Sequence, residues 1–417
     1  MIIKRSVLPK LVEHLKSEEM SLLVGPRQSG KTTLMFQLIE KLKAEAKKYV
    51  YLNLDVEKDN AFFVSQAKLL EKIRSELGSG PGYVFIDEIQ KKENAGIFLK
   101  GIYDMKLAYK FIVTGSGSIE LKEKIYESLA GRKRIFEIFP LSFDEFVNFK
   151  TDYQYADRLE EYFNVNGALA LELLNEYLMF GGYPKVVLRE TSEEKRAALE
   201  DIFKSFIEKD IQILLRIEKS EVLTDLIKII GSQNGRLTNY NELSNTLGIS
   251  LPTIKKYLWY LEKTYIIEKS VPYFRNVRKE ITKSPIYYFV DLGLRNYLLD
   301  IHSFDGVTDK GFLFQNFVFN EIKKIISSTA KSLRFWRTKQ GAEVDIVIDS
   351  YPNPIGIEVK YSPGEKITID RSMRSFIKKF EPKQYFVVGL TYGKSKEIIP
   401  YYAMDKILLF TTWIAGC

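Results

Sequence analysis

SLLVGPRQSGKTTLMFQLIEKLKAEA, residues 21–46, is the stretch on which the reading of this chain turns. Four residues suited to a buried strand run into a loop with glycines at 25 and 30, and a helical pattern follows, giving strand, loop and helix in succession. Further apolar runs follow at YVYLNLD (49–55), YVFIDEI (83–89), FIVTGS (111–116) and RIFEIFPLS (134–142), separated by helix-length segments. Their near-continuous hydrophobicity suits parallel strands buried on both faces. Residues 1–150 are therefore expected to form one α/β domain around a parallel sheet of about five strands.

The whole chain, at 417 residues, exceeds one ordinary domain, so two to four folded units are expected. Hydrophobic residues at 45% and charged residues at 28% describe a folded protein rather than a disordered or fibrous one. The net charge of +8 leans toward an anionic partner, nucleic acid ahead of a membrane surface. A single cysteine, Cys417, excludes an internal disulfide framework and a cysteine zinc cluster, and fits the reducing cytoplasm. The opening MIIKRSVLPK has no apolar signal core and no run is long enough to span a bilayer, so no membrane partner is expected. His14 and His302 are the only histidines, which rules out multi-histidine metal sites.

Residues Gly25, Pro26, Arg27, Gln28, Ser29, Gly30, Lys31 and Thr32 match the eight-position phosphate-loop pattern in full, with Thr33 completing the helix start. Gly25 and Gly30 permit backbone turns that aim N–H groups at a phosphate, and the helix N-terminus adds partial positive charge. Lys31 is then expected to reach the β- and γ-phosphates of ATP, with the Thr32 hydroxyl on Mg²⁺. Asp87 and Glu88 close the run FIDE at a strand tip, where open parallel sheets bind ligands. Asp87 would hold Mg²⁺ through water, and Glu88 would orient and deprotonate the attacking water. Thr114-Gly115-Ser116 ends the next strand, either as a polar contact to the γ-phosphate or as a plain turn. Gly131-Arg132-Lys133-Arg134 offers an arginine to a neighbouring copy's site, or simply a solvated basic helix end.

Residues 151–215 read as helical, broken by GGYP at 181–184, the pattern of a small lid. Within 216–295, TNYNELSNTLGISLPTIKKYLWYLEKTYII (238–267) has a helix ending near Gly248 and a second capped by Ser250. In this helix-turn-helix rhythm Ile254, Leu258 and Leu261 should face the core and Thr253, Lys255 and Lys256 should face outward. Paired β-rich runs beyond it would make a wing tipped by Arg275, Arg278 and Lys279. Twelve basic against seven acidic residues between 216 and 290 favour DNA, with a protein contact as the alternative.

In residues 296–417, alternation in Glu343-Val-Asp345-Ile-Val-Ile348 sets the acids on one face and the aliphatics on the other. Ile357-Glu358-Val359-Lys360 repeats the device, so two adjacent strands would gather Asp345, Glu358 and Lys360 around a metal ion, with Glu321 as a third acid from the preceding helix. The arrangement resembles the restriction-endonuclease-like fold with its acid and Glu-x-Lys signature. That fold serves either as a metal-dependent nuclease or as an inert binding module.

The order of parts resembles the archaeal and bacterial predicted ATPases of the AAA superfamily, which join a phosphate-loop domain, lid, winged helix and C-terminal nuclease-like domain. Its marks here are GPRQSGKTT, FIDEIQ, VTGSGS, LAGRKRIFEIFPLSFDEF, FGGYP, RTKQGAEVDIVID and IGIEVKYS. The resemblance implies a sensor role for Ser116 and a finger role for Arg132. It leaves three functions open, an ATP-dependent enzyme acting on DNA, an ATP-gated DNA- or protein-binding regulator with an inert nuclease fold, and a remodeller of protein partners, with assembly as a homo-oligomer compatible with each.

Overall fold

Five parallel strands carry the first part of the computed structural model, which describes residues 2–116, 128–207, 220–274, 284–327, 329, 331–350, 352–362, 368–391 and 396–407. They are β1 (Met20–Gly25), β2 (Tyr49–Asn53), β3 (Gly82–Asp87), β4 (Tyr109–Ser116) and β5 (Lys133–Glu137), in the order β2-β3-β4-β1-β5. All the expected runs are strands, with β4 beginning earlier and β5 ending sooner than their apolar stretches. The central strands are buried on both faces, as parallel sheets require, and the edge strands β2 and β5 are more open. Leu22, Val24, Val84, Ile86 and Val113 join one apolar cluster, and Leu23, Phe85 and Ile112 join another with Leu34 and Leu38 of the helix Lys31–Ala44. Placing β1 between β4 and β5 sets the loop after Gly25 beside the tips of β3 and β4.

The chain divides into two compact units: Met1–Pro140 with Lys263–Tyr265, and Leu141–Glu262 with Ile266–Cys417. The second begins with helices. Phe143–Lys150 is started by a capping box of Ser142 and Glu145, and Ser192–Phe206 by one of Thr191 and Glu194. Between them, Gly167–Phe180 ends at Gly181, whose φ of +73° only glycine adopts without strain. Asp291 fastens this break: its carboxylate accepts the Gly182 N–H at 2.8 Å and the Leu294 N–H at 3.0 Å. A side chain at Gly293 would strike the Phe180 carbonyl at 2.0 Å.

Helices Tyr240–Leu247 and Leu251–Lys263 follow one another across Gly248, which takes φ +64°. Ile254, Leu258 and Leu261 are buried, and Lys255 and Lys256 are exposed. A seven-stranded mixed sheet completes the unit, from β6 (Ile267–Pro272), β7 (Ile286–Phe289), β8 (Ser332–Arg337), β9 (Glu343–Asp349), β10 (Ile355–Val359), β11 (Tyr385–Gly389) and β12 (Ile398–Pro400). Its order is β12-β11-β10-β9-β8-β6-β7. β6 pairs antiparallel with β7 and parallel with β8, so one sheet runs from the segment 216–295 into the segment 296–417. Arg275, Arg278 and Lys279, expected at a wing tip, lie outside the described residues. No helix among the described residues is long and apolar enough to cross a membrane.

Candidate functional site

The loop after β1 is built by backbone. Gly25 lies at φ +154° against the Ile138 carbonyl, which an added Cβ would meet at 2.2 Å. Gln28 (φ +59°) and Gly30 (φ +96°) complete the turn, and the helix starts at Lys31 with no side-chain cap on its first N–H groups. Lys31 is buried and folds back over the loop, its ammonium donating to the carbonyls of Gly25 (3.1 Å) and Pro26 (2.6 Å). The Ser29 hydroxyl is buried with no hydrogen-bond partner. Thr33 is exposed on the first helical turn.

Across the sheet, the Asp87 carboxylate gathers three hydroxyls. Thr32 Oγ1 donates to its Oδ2 at 2.9 Å, Tyr51 OH donates to the same oxygen at 2.9 Å, and Thr114 Oγ1 donates to Oδ1. Burial, with the Asp87 charge beside it, pushes the Tyr51 phenol well above its ordinary value. Glu88 follows at φ +57°, a conformation unusual for a residue with a side chain, and its N–H donates to Asp87 Oδ1 (3.1 Å) and Thr114 Oγ1 (3.2 Å). Burial and the Asp87 charge raise the Glu88 carboxyl, with Lys31, Gln90 and Arg27 pulling the other way. Gln90 donates to Glu88 Oε2.

The structure thus brings Lys31, Thr32, Asp87 and Glu88 to one place. Ser116 ends β4 in register with Gly25, and its side chain lies outside what is described. Arg132 stands at the other end of the sheet, its carbonyl accepting the Met20 N–H; β1 separates it from its own loop by roughly 17 Å. Its guanidinium pairs with Asp104 at 2.8 Å. Sequence reading passed over Arg5 and Tyr51, and it offered Thr114 to the γ-phosphate where the structure bonds it to Asp87 and the Glu88 N–H. Arg5 donates to the Ser29 carbonyl (2.8 Å) and the Phe139 carbonyl (2.7 Å), bracing the loop from a distant segment. The signal for Tyr51 was its strand position, near a strand end beside Asp87.

In the second unit, Asp345 on β9 accepts the Val359 N–H (2.8 Å) and Gln315 Nε2 (3.2 Å). Glu358 on β10 is buried; Oε1 accepts from Lys360 Nζ at 2.7 Å, and Oε2 has no partner. Lys360 also reaches Asp370 at 3.2 Å. Burial raises both Asp345 and Glu358, and the Asp345 charge adds to the rise at Glu358. Asp345, Glu358 and Lys360 therefore converge.

Glu321 does not join them. It accepts the Phe143 N–H (3.0 Å), the Tyr177 hydroxyl (3.2 Å) and Lys324 (2.6 Å). On the helix Lys310–Ile326 it is displaced about 120° around the axis from Gln315, the residue that does face Asp345. Among the described residues no group of three or more His, Cys, Asp or Glu is arranged to hold a metal ion. A cation at this place would rest on two carboxylates.

Comparison with known proteins finds family models matching three stretches of the chain. Residues 17–147 match the family model described as AAA domain. Residues 171–305 and 310–403 match two further models, each described as a domain of unknown function. An uncharacterized protein of Mycobacterium tuberculosis is 27% identical over 380 residues, covering 90% of this chain and 77% of that one. Another from Methanocaldococcus jannaschii is 28% identical over 353 residues, covering 83% and 75%. Among solved structures, the Aeropyrum pernix Orc1 protein in complex with DNA aligns with TM-score 0.32 and 14% identity, over 72% of this chain and 93% of that one. AMPPCP-bound DnaA from Aquifex aeolicus aligns with TM-score 0.28 and 14% identity, over 63% and 90%. The parallel five-stranded sheet and the family match over residues 17–147 together give this segment the phosphate-loop fold of AAA-type domains.

Proposed function

We propose that this chain binds ATP with Mg²⁺, hydrolyses it, and acts on DNA. The observation that carries the reading is the Asp87 carboxylate, bonded at once to Thr32 and Thr114 beside a half-buried Glu88, at the mouth of the Gly25–Thr33 loop. The loop fits a triphosphate: it holds a partnerless buried hydroxyl at Ser29, uncapped helix N–H groups, and a lysine resting on carbonyls that an anion would displace. Thr32 and Asp87 would hold Mg²⁺, which supplies positive charge to the β- and γ-phosphates. Glu88 takes the proton of the attacking water while the γ-phosphoryl group leaves ADP. Equilibrium binding and steady-state turnover test this. Lys31→Ala should abolish nucleotide binding, whereas Glu88→Gln should keep ATP bound and slow turnover by at least about 100-fold. Unchanged affinity in the first or unchanged turnover in the second would remove that residue from its role.

DNA is assigned to the helix pair 240–263, read as a winged helix, on the exposed Lys255 and Lys256 and the local surplus of basic residues. Lys255→Glu with Lys256→Glu should weaken duplex binding for all sequences and flatten its salt dependence. Unaltered affinity would dismiss this surface.

For the nuclease-like region, the Asp345 and Glu358 pair suits one divalent cation, supported by the partnerless Glu358 Oε2. Two observations favour the rival reading of an inert fold used for binding. Helix 310–326 offers the neutral Gln315 where a third acid was expected, and Lys360 is shared between Glu358 and Asp370. Metal-dependent nicking of plasmid DNA, abolished by Asp345→Ala with ATP turnover retained, separates the two.

A further inference from the structure

A cavity of about 440 Å³ opens in the first unit at the N-terminal ends of β2, β3 and β4, the end of the sheet opposite the phosphate loop. Its volume lies in the range of small-molecule sites, roughly 300–1,000 Å³. Five lysines line it, Lys16, Lys47, Lys48, Lys106 and Lys110, against a single carboxylate, Glu18. They come from three separate segments, so the concentration of charge is a product of the fold and not of one basic run.

Lys110 forms the floor. It is buried, and its ammonium donates to the Ser17 carbonyl (2.9 Å) and the Glu19 carbonyl and lies 3.3 Å from His14 Nδ1, so it supplies charge and no spare donor. The other four are exposed at the rim. Lys106 lies over the Tyr103 ring at 5.1 Å, and Lys48 reaches the Leu77 carbonyl at 3.4 Å. Among the described residues none of the four is ion-paired, so their charges are not offset by paired carboxylates at the cavity. Like charges converging on one concavity repel, and a multivalent anion reverses the sign of that term. A compact ammonium binds phosphate oxygens as a point charge, without the planar match that arginine would demand of its ligand.

We propose that this cavity is a second anion site, separate from the phosphate loop, that takes a small multiply charged phosphate compound. Calorimetric titration of the full-length Lys31→Ala protein with inorganic tripolyphosphate reads this site in isolation from the loop. We expect one equivalent to bind, with an affinity that falls as salt rises. Adding Lys47→Glu and Lys106→Glu should weaken it at least tenfold, while the same pair in an otherwise native chain leaves ATP turnover unchanged. Lys47→Gln with Lys106→Gln, which removes charge without reversing it, should weaken it several-fold at an unaltered melting temperature. No binding to the Lys31→Ala protein would overturn the assignment. So would equal binding in the charge-reversed protein, or duplex DNA competing for these lysines where tripolyphosphate does not bind.

Discussion

Glu88 sits in the left-handed region, a conformation that costs a side-chain-bearing residue on the order of 1 kcal/mol or more. Its N–H bonds to Asp87 and Thr114 hold it there. Thr114 is thus a positioning residue, its one hydroxyl donating to the Asp87 carboxylate and accepting the Glu88 N–H. Thr114→Val should lower turnover at least tenfold while nucleotide affinity changes less than about threefold, since the loop itself is untouched. An equal loss in both quantities would assign Thr114 to binding instead. Arg5→Ala should act in the opposite sense, weakening nucleotide affinity through a slackened Ser29 carbonyl with little change in maximal turnover. At this scale the sequence was legible where chemistry and spacing coincide, as in Gly30-Lys31-Thr32 and Asp87-Glu88. Arg5 was not, because it reaches Phe139 across 134 positions and no local pattern records such a contact.

Elements explain the two places where side chains went elsewhere than their chemistry suggested. The helix Lys310–Ile326 reads as amphipathic, but periodicity does not say which of its buried polar residues meets which neighbour; Gln315 meets Asp345 and Glu321 meets Phe143. The break at GGYP was legible as a break, and its purpose was not, since Asp291 lies 109 positions beyond Gly182. That carboxyl is buried, and desolvation pushes it up to about 6 despite the N–H bonds that favour its charged form. The unfolded group ionises near 3.9, so between about pH 4 and 6 the unfolded chain loses a proton that the folded one keeps. This group's contribution is therefore most favourable below pH 4, falls as pH rises through that window by on the order of 3 kcal/mol, and is level above it. Urea unfolding of the native chain against Asp291→Asn should show a difference in stability that changes between pH 4 and 6 and is flat from 7 to 8. A constant difference would mean that the carboxyl titrates normally.

On the scale of the whole molecule, the α/β class and the five-stranded sheet could be read from apolar runs because the central parallel strands are buried on both faces. The seven-stranded sheet could not, because its joint lies between β6 and β8, more than sixty positions apart. If Asp345 and Glu358 share a cation, millimolar Mn²⁺ should raise the melting temperature of the native chain, since whatever binds only the folded state stabilises it. Asp345→Asn should remove that rise, and an equal rise in both proteins would place the ion elsewhere. The β6–β8 joint also determines how the protein can be cut. A fragment beginning at residue 296 would keep β8 paired with β9 but strip β6 from its other side, turning the border at Arg334 and Phe335 into an exposed sheet edge. Such a piece would satisfy that border on other molecules of its own kind. In gel filtration it should run as soluble aggregates that grow with concentration, and scission between residues 295 and 296 would manufacture an adhesive from a segment that is inert in the intact chain.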